Sequence, residues 1–211
     1  MRKLSAAALL LAAASIIAAA QDQPKNEIAV TIGRTFISDQ KVPNTNFFNN
    51  TVHSGKGLSF SGNYARRLQN FRWGAVSIEV PVIINPDEDL NYGQNQVPIQ
   101  YSSIFVTPAA RVTFFHDLAF SPFFSFGGGL GHFVASKDLV FGGPNPGHRI
   151  KTTGALHGGI GFDLHLPGKL HGLVFRFEAR DNWSGVPPIN VNTGRTRQHN
   201  YYVGGGLVFA F

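Results

Sequence analysis

Residues 152–166 read TTGALHGGIGFDLHL. Counted in twos, Leu156, Ile160, Phe162 and Leu164 fall on one side, and Ala155, His157, Gly159, Gly161, Asp163 and His165 on the other. Residues two apart on a strand share a face, whereas a helical turn would mix the two sets. The stretch is therefore a strand with one bulky apolar face and one face of small or charged residues. Its length also fits a strand that crosses a bilayer at a tilt, which takes about ten residues.

The same pattern recurs along the chain. Eight segments alternate with period two: 27–36, 57–68, 73–83, 103–114, 122–133, 152–166, 172–182 and 200–211. In the third, Val76, Ile78, Val80 and Val82 oppose Ala75, Ser77, Glu79 and Pro81. In the fifth, Phe124, Phe126 and Leu130 oppose Ser125, Gly127, Gly129 and Gly131. In the seventh, Leu173, Phe175 and Phe177 oppose Val174, Arg176, Glu178 and Arg180. Alternation alone does not say which face is outside, because a soluble barrel also alternates. Size decides it. The interior of an eight-stranded barrel is narrow and has to be filled without clashes, so the face rich in Gly, Ala and Ser belongs inside. The Phe, Leu, Val and Ile face is then convex, and an apolar band of that extent is solvated by lipid rather than water.

The connections obey a second regularity. Those at 37–56, 84–102, 134–151 and 183–199 are long; those at 69–72, 115–121 and 167–171 are short. Transmembrane barrels have short periplasmic turns and long external loops. The expected architecture is an all-β, eight-stranded, antiparallel, up-and-down transmembrane β-barrel. No stretch after the first twenty residues has the apolar length of a membrane-spanning helix.

Those first twenty, MRKLSAAALLLAAASIIAAA, carry Arg2 and Lys3, then an uncharged Ala, Leu and Ile run, then small residues before Gln21. This is the three-part form of a secretory signal peptide, expected to be cleaved after Ala20 and to leave 21–211 as the barrel. Of the 18 Lys and Arg, two lie in this leader, which leaves 16 against 12 Asp and Glu. The excess is mild and scattered among turns and loops, unlike the focused basic face of a nucleic-acid binder. The chain has no Cys, so disulfides, thiol chemistry and lipoprotein processing are excluded.

The last segment, YYVGGGLVFAF, ends on Phe211. Tyr201, Val203, Leu207, Phe209 and Phe211 form its apolar face, with Gly205 an imperfect member, and Tyr202, Gly204, Gly206, Val208 and Ala210 form the other. An aromatic ring suits the membrane interface, where the last strand closes the barrel. With its leader, strand count, loop alternation and terminal LVFAF, the chain resembles the small outer-membrane β-barrel family that includes OmpA-type and OmpX-type domains. The resemblance implies an outer-membrane location, a monomer, contact with outer-membrane lipid and lipopolysaccharide, and recognition of Leu207, Phe209 and Phe211 by the barrel-assembly machinery. The segment FRFEARDNWSGVPP also looks like a seventh-strand stretch of outer-membrane barrels of unassigned role.

Six charged residues have the parity of the inner face: Glu79, Arg111, Asp163, Arg176, Glu178 and Arg180, three acids against three bases. Buried charges are paired or costly, so a balanced set reads as a salt-bridged, largely plugged lumen in place of a hydrophobic core. His157, His165 and Asp163 share a face of one strand, but three candidates on one strand do not close a metal sphere, and a lumen-facing His network is expected instead. No cofactor or metal is expected.

A hydrolytic site needs Ser, His and an acid brought together, and some outer-membrane barrels modify acyl chains of lipid A or phospholipid. Asp181, Ser184 and His199 are the candidates, yet the His-x-Ser-Asn pattern of the deacylases is absent, since Asn200 and Tyr201 follow His199. Asp87, Asp89 and Asn91 open like a calcium loop, but Tyr92 stands where Gly is required and Pro98 where the closing Glu belongs. FGGGLG sits in an alternating strand with no helix after it, so it is not a phosphate cradle.

Arg34 falls on the lipid face beyond Ile28, Val30 and Ile32; it either snorkels outward or is turned inward by a bulge at Gly33. The external loops carry Lys41, Lys56, the acidic cluster Asp87 to Asp89 with Glu88 between, Lys137, Arg149, Lys151, Arg195 and Arg197. The expected role is structural or surface-interactive, without catalysis. The runners-up are a narrow pore or hydrophobic-ligand conduit, and a lipid A or phospholipid acyl-modifying enzyme.

Overall fold

The structure, a computed structural model, describes residues 25–43, 49–116, 118–166 and 173–211. The expected leader and the short connection at 167–171 lie outside these. The described residues form eleven strands: β1 (Asn26–Ile37), β2 (Gln40–Lys41), β3 (Thr51–Ser54), β4 (Leu58–Phe71), β5 (Gly74–Asn91), β6 (Gln100–Val106), β7 (Ala109–Phe114), β8 (Phe120–Ala135), β9 (Ile150–His165), β10 (Val174–Gly185) and β11 (Arg197–Ala210).

Eight staves make a closed ring. Each pairs antiparallel with its neighbour in sequence, and β1 pairs with both β4 and β11 to shut the circuit. β6 and β7 are the two halves of one stave, both lying between β5 and β8. The ladder is interrupted at Thr107 and Pro108, where proline has no N–H to give. The closing seam runs on to the last residue: Phe211 N–H donates to Asn26 O (2.9 Å) and Asn26 N–H to Phe211 O (3.0 Å). Among the described residues each stave of the ring is paired on both sides, which is how a barrel satisfies its backbone inside lipid.

The faces follow from alternation. Ile28, Val30, Ile32, Phe60, Ile78, Phe124, Phe126, Ile160, Phe177, Val203 and Phe209 project outward, while Ala29, Thr31, Ser61, Asn63, Ser77, Ser125 and His157 are buried inside. At the short-turn end Phe71, Trp73, Phe114 and Phe124 form a chain of adjacent rings with centroids 5.4 to 6.0 Å apart, an interfacial aromatic girdle.

Two expectations are corrected. The inner face is not only small or charged: Tyr101, Phe105, Phe123, Phe133 and Tyr202 are buried there. Glycines make the room. A Cβ on Gly131 would stand 2.6 Å from the Phe105 ring, and one on Gly161 would stand 2.5 Å from the Phe123 ring. The second correction concerns the connection expected at 84–102. β5 continues as strand to Asn91, past a bulge between Asn85 and Glu88, and pairs with β3 and β6 beyond the membrane band. In this extension Glu88 and Leu90 point inward and Asp87 and Asp89 outward, so the expected external acidic cluster is divided by the pleat: Glu88 is buried, and only Asp87 and Asp89 face water.

Candidate functional site

Alternation along β10 sends Arg176, Glu178 and Arg180 into the lumen, where the facing strands supply partners. Arg176 grips Asp163 with two parallel bonds, Nε to Oδ1 at 2.8 Å and Nη2 to Oδ2 at 2.7 Å. Its Nη2 also donates to Glu27 Oε1 (2.9 Å), and Arg111 Nη1 donates to the same oxygen. Arg180 binds Glu178 through Nε (2.9 Å) and Glu79 through Nη1 (2.8 Å). Arg111 Nη1 lies 3.6 Å from Glu79 Oε2, which joins the two clusters. The Phe123 ring lies under both Arg176 and Arg111, with guanidinium carbons 4.9 and 5.5 Å from its centroid.

The six charged residues of the sequence reading thus lie together, with a seventh that it left out. Glu27 shares parity with Ala29 and Thr31, which was the available signal. Neutral groups complete the carboxylates: Asn63 Nδ2 donates to Glu79 (2.7 Å) and Thr31 Oγ1 to Glu178 (2.9 Å).

Towards the long-loop end the charges give way to a hydrogen-bonded file. His157 Nε2 accepts from Arg180 Nη1 (3.0 Å), and its Nδ1 faces Asn182 Oδ1 at 3.3 Å. Asn200 Nδ2 donates to Asn182 O and Ser184 Oγ, Gln198 Nε2 to Asn200 Oδ1, Gln40 Nε2 to Gln198 Oε1, and Thr193 Oγ1 to Gln40 Oε1. Beside this file lies an apolar cluster of Tyr101, Phe105, Phe133 and Tyr202 from the staves with Val42, Val52, Tyr92, Val97 and Ile189 from the external segments. The external segments therefore share a core with the upper lumen. At the opposite mouth, Glu27, Arg111, Asp163 and His165 border a recess of about 60 Å³, room for roughly two waters.

The remaining candidates separate. Asp163 is taken by Arg176, His157 sits in the file and His165 lies at the recess. Among the described residues no cluster of three or more His, Asp or Glu side chains is placed to hold a metal. His199 Nδ1 does meet Asp181 Oδ2, at 2.6 Å, but on the outer face. Ser184 has the opposite parity on β10 and is buried in the lumen, so the wall divides the three residues considered for hydrolysis. Asp87, Asp89 and Asn91 belong to the β5 extension, and FGGGLG to β8. Arg34 keeps strict alternation with no bulge at Gly33: it points outward, and Nη1 reaches Lys56 O at 3.4 Å.

No protein-family model and no curated protein sequence matches the chain. Solved structures do. Neisserial surface protein A superposes with a TM-score of 0.56 at 13% identity, over 88% of this chain and 97% of that one. The chain has the fold of the small outer-membrane β-barrels. Outer membrane protein OprG from Pseudomonas aeruginosa gives a TM-score of 0.47 at 11% identity, covering 89% and 97%. The attachment invasion locus protein Ail of Yersinia pestis, solved with the heparin analogue sucrose octasulfate, gives 0.44 at 14% identity, covering 88% and 99%.

Proposed function

We propose that the chain is a monomeric barrel of the outer membrane whose interior is a closed, packed core, and whose work is done by its external cap and rim as a surface-interaction protein. The observation that carries this is the Arg180–Glu79 pair, wholly buried and spanning the lumen. An ion crossing here would have to displace fixed, mutually paired charges whose low-dielectric surroundings make their separation costly. The apolar cluster above them adds a second seal, because it leaves the cap anchored rather than free to swing aside.

Planar-bilayer recording tests the reading. The refolded barrel is expected to give no steady conductance steps in molar salt, and reproducible steps from the intact protein would overturn it. The division of Asp181 and His199 from Ser184 by the wall supports a non-enzymatic role. Lipid A from cells expressing the protein is accordingly expected to keep its acyl mass.

A further inference from the structure

The short-turn mouth carries more positive charge than its own carboxylates answer. Lys25 just before β1, Arg66 on β4 and Arg72 in the turn after it are exposed there. Arg67, paired in register with Ser77, turns inward and lines the recess at this mouth. Both carboxylates that line the same recess are already engaged: Glu27 takes Arg111 and Arg176, and Asp163 is held by Arg176 through both oxygens. Arg67 has no ion-pair partner among the described residues.

The recess of about 60 Å³ spans the mouth. Arg67 on β4 and His165 on β9 border it from opposite sides, four staves apart in either direction, and Arg111 on β7 borders it from between. Two nitrogens of its lining residues are buried without a hydrogen-bond partner: Arg111 Nε, on a side chain only 3% exposed, and His165 Nδ1. The first can only donate, and the second donates in one tautomer. Buried donors are paired in the great majority of native structures, so an acceptor belongs here.

The rest of the lining limits what that acceptor can be. Val174, Val208 and Ala210 border the same recess and offer no donor. A phosphate presents oxygens on every side and would press some of them, unpaired, against these alkyl walls. A carboxylate has its oxygens at one end and its stem at the other, which matches both kinds of wall, and its planar pair of oxygens suits a guanidinium. The Glu27 side chain keeps 16% of its surface exposed, so the recess is reached by solvent.

We infer that this recess binds a carboxylate on a short aliphatic stem. Arg67, Arg111 and His165 receive the oxygens, and the stem rests on Val174 and Val208. A free short-chain acid and the C-terminal carboxylate of a peptide ending in alanine share this chemistry. The exposed Lys25, Arg66 and Arg72 draw either one to the mouth.

The test follows the nitrogen resonances of the His165 ring, assigned by comparison with His165→Gln, in the refolded barrel in phosphatidylcholine nanodiscs. The probes are acetate, acetyl-glycyl-alanine, the amide of that peptide and inorganic phosphate, at constant ionic strength set with chloride. At least one of the two carboxylates is expected to give a saturable shift, and the amide and phosphate none. Tighter binding of acetate identifies a free acid as the ligand; tighter binding of the peptide identifies a chain terminus. Arg67→Gln should weaken binding about tenfold, the effect of losing one charge-assisted contact. Arg67→Lys should keep part of it, and Lys56→Gln, at the other end of the barrel, should leave it unchanged. Heat-modifiable gel migration shows first that each variant is folded. A shift that does not saturate, that phosphate or the amide produces equally, or that Arg67→Gln leaves at wild-type strength would overturn the assignment.

Discussion

Arg180 Nη1 and Glu79 Oε1 stand 2.8 Å apart although β10 and β5 lie on opposite sides of the ring, four staves apart in either direction. The pair is a strut across the lumen, and Glu178 on the same strand shares the guanidinium.

Arg180→Met should therefore leave Glu79 and Glu178 facing each other without their common cation. Breaking a buried pair from one side costs about 3–5 kcal/mol. Urea unfolding in lipid vesicles, followed through the two tryptophans Trp73 and Trp183, should show a loss of this size. Adding Glu79→Gln and Glu178→Gln should recover at least half of it.

Glu88 gives a pH dependence of the cap. Its side chain is buried, Oε2 accepts from Asn85 Nδ2 (2.8 Å) and Gly57 N–H (3.2 Å), and Oε1 has no partner. Burial raises the carboxyl above the usual glutamate range, and nearby Asp89 and Asp87 add to this against the two hydrogen bonds. The folded cap thus holds the proton more tightly than an opened one. Its contribution is complete at acid pH, below the unfolded value, and is lost as pH rises through the raised folded value. Hydrogen exchange at the Gly57 amide, corrected for intrinsic rates, should show weaker protection across that window in the wild type and none of this trend in Glu88→Gln.

Gly161 is required for space rather than for backbone freedom. A methyl there meets the Phe123 ring at 2.5 Å, and that ring supports Arg176 and Arg111. Gly161→Ala should lower stability by about 1–3 kcal/mol, the usual cost of overpacking. Gly62→Ala, on the outer face with nothing within 4 Å, should be neutral in the same urea titration.

Phe211 closes the seam through its backbone, which any residue supplies, so its ring is expected to matter for assembly. Phe211→Ala should lower the heat-modifiable fraction in cells several-fold, yet shift the urea midpoint of the refolded barrel by less than about 1 kcal/mol in free energy. Equal insertion of variant and wild type would remove the assembly role.

The parity of a strand is a strong signal because pleating allows side chains only two directions, and parity alone is enough to put Glu79, Arg111, Asp163, Arg176, Glu178 and Arg180 on one side of the wall. Glu27 escaped because it opens its segment, where only the alternation that follows it, through Ala29 and Thr31, marks its side. The β5 extension escaped for a different reason. Above the membrane the outer face turns polar, so Asp87 and Asp89 on a continuing strand look like a solvated loop. Tyr92, Val97 and Ile189 are isolated apolar residues in irregular segments, and only the three-dimensional meeting with Phe133 and Tyr101 makes them a core. Closure of the ring depends on register between β1 and β11, which pairs residues more than 150 positions apart.

Because Val42, Val97 and Ile189 are anchored in the same cluster as Phe105 and Tyr202, the external face is one conformational object made from segments distant in sequence. Isolated peptides copying a single loop would lack the floor on which that loop rests. Antibodies raised against such peptides are expected to recognise the denatured chain and miss the assembled protein, whereas those raised against the folded barrel should bind across loop boundaries and lose their target on boiling.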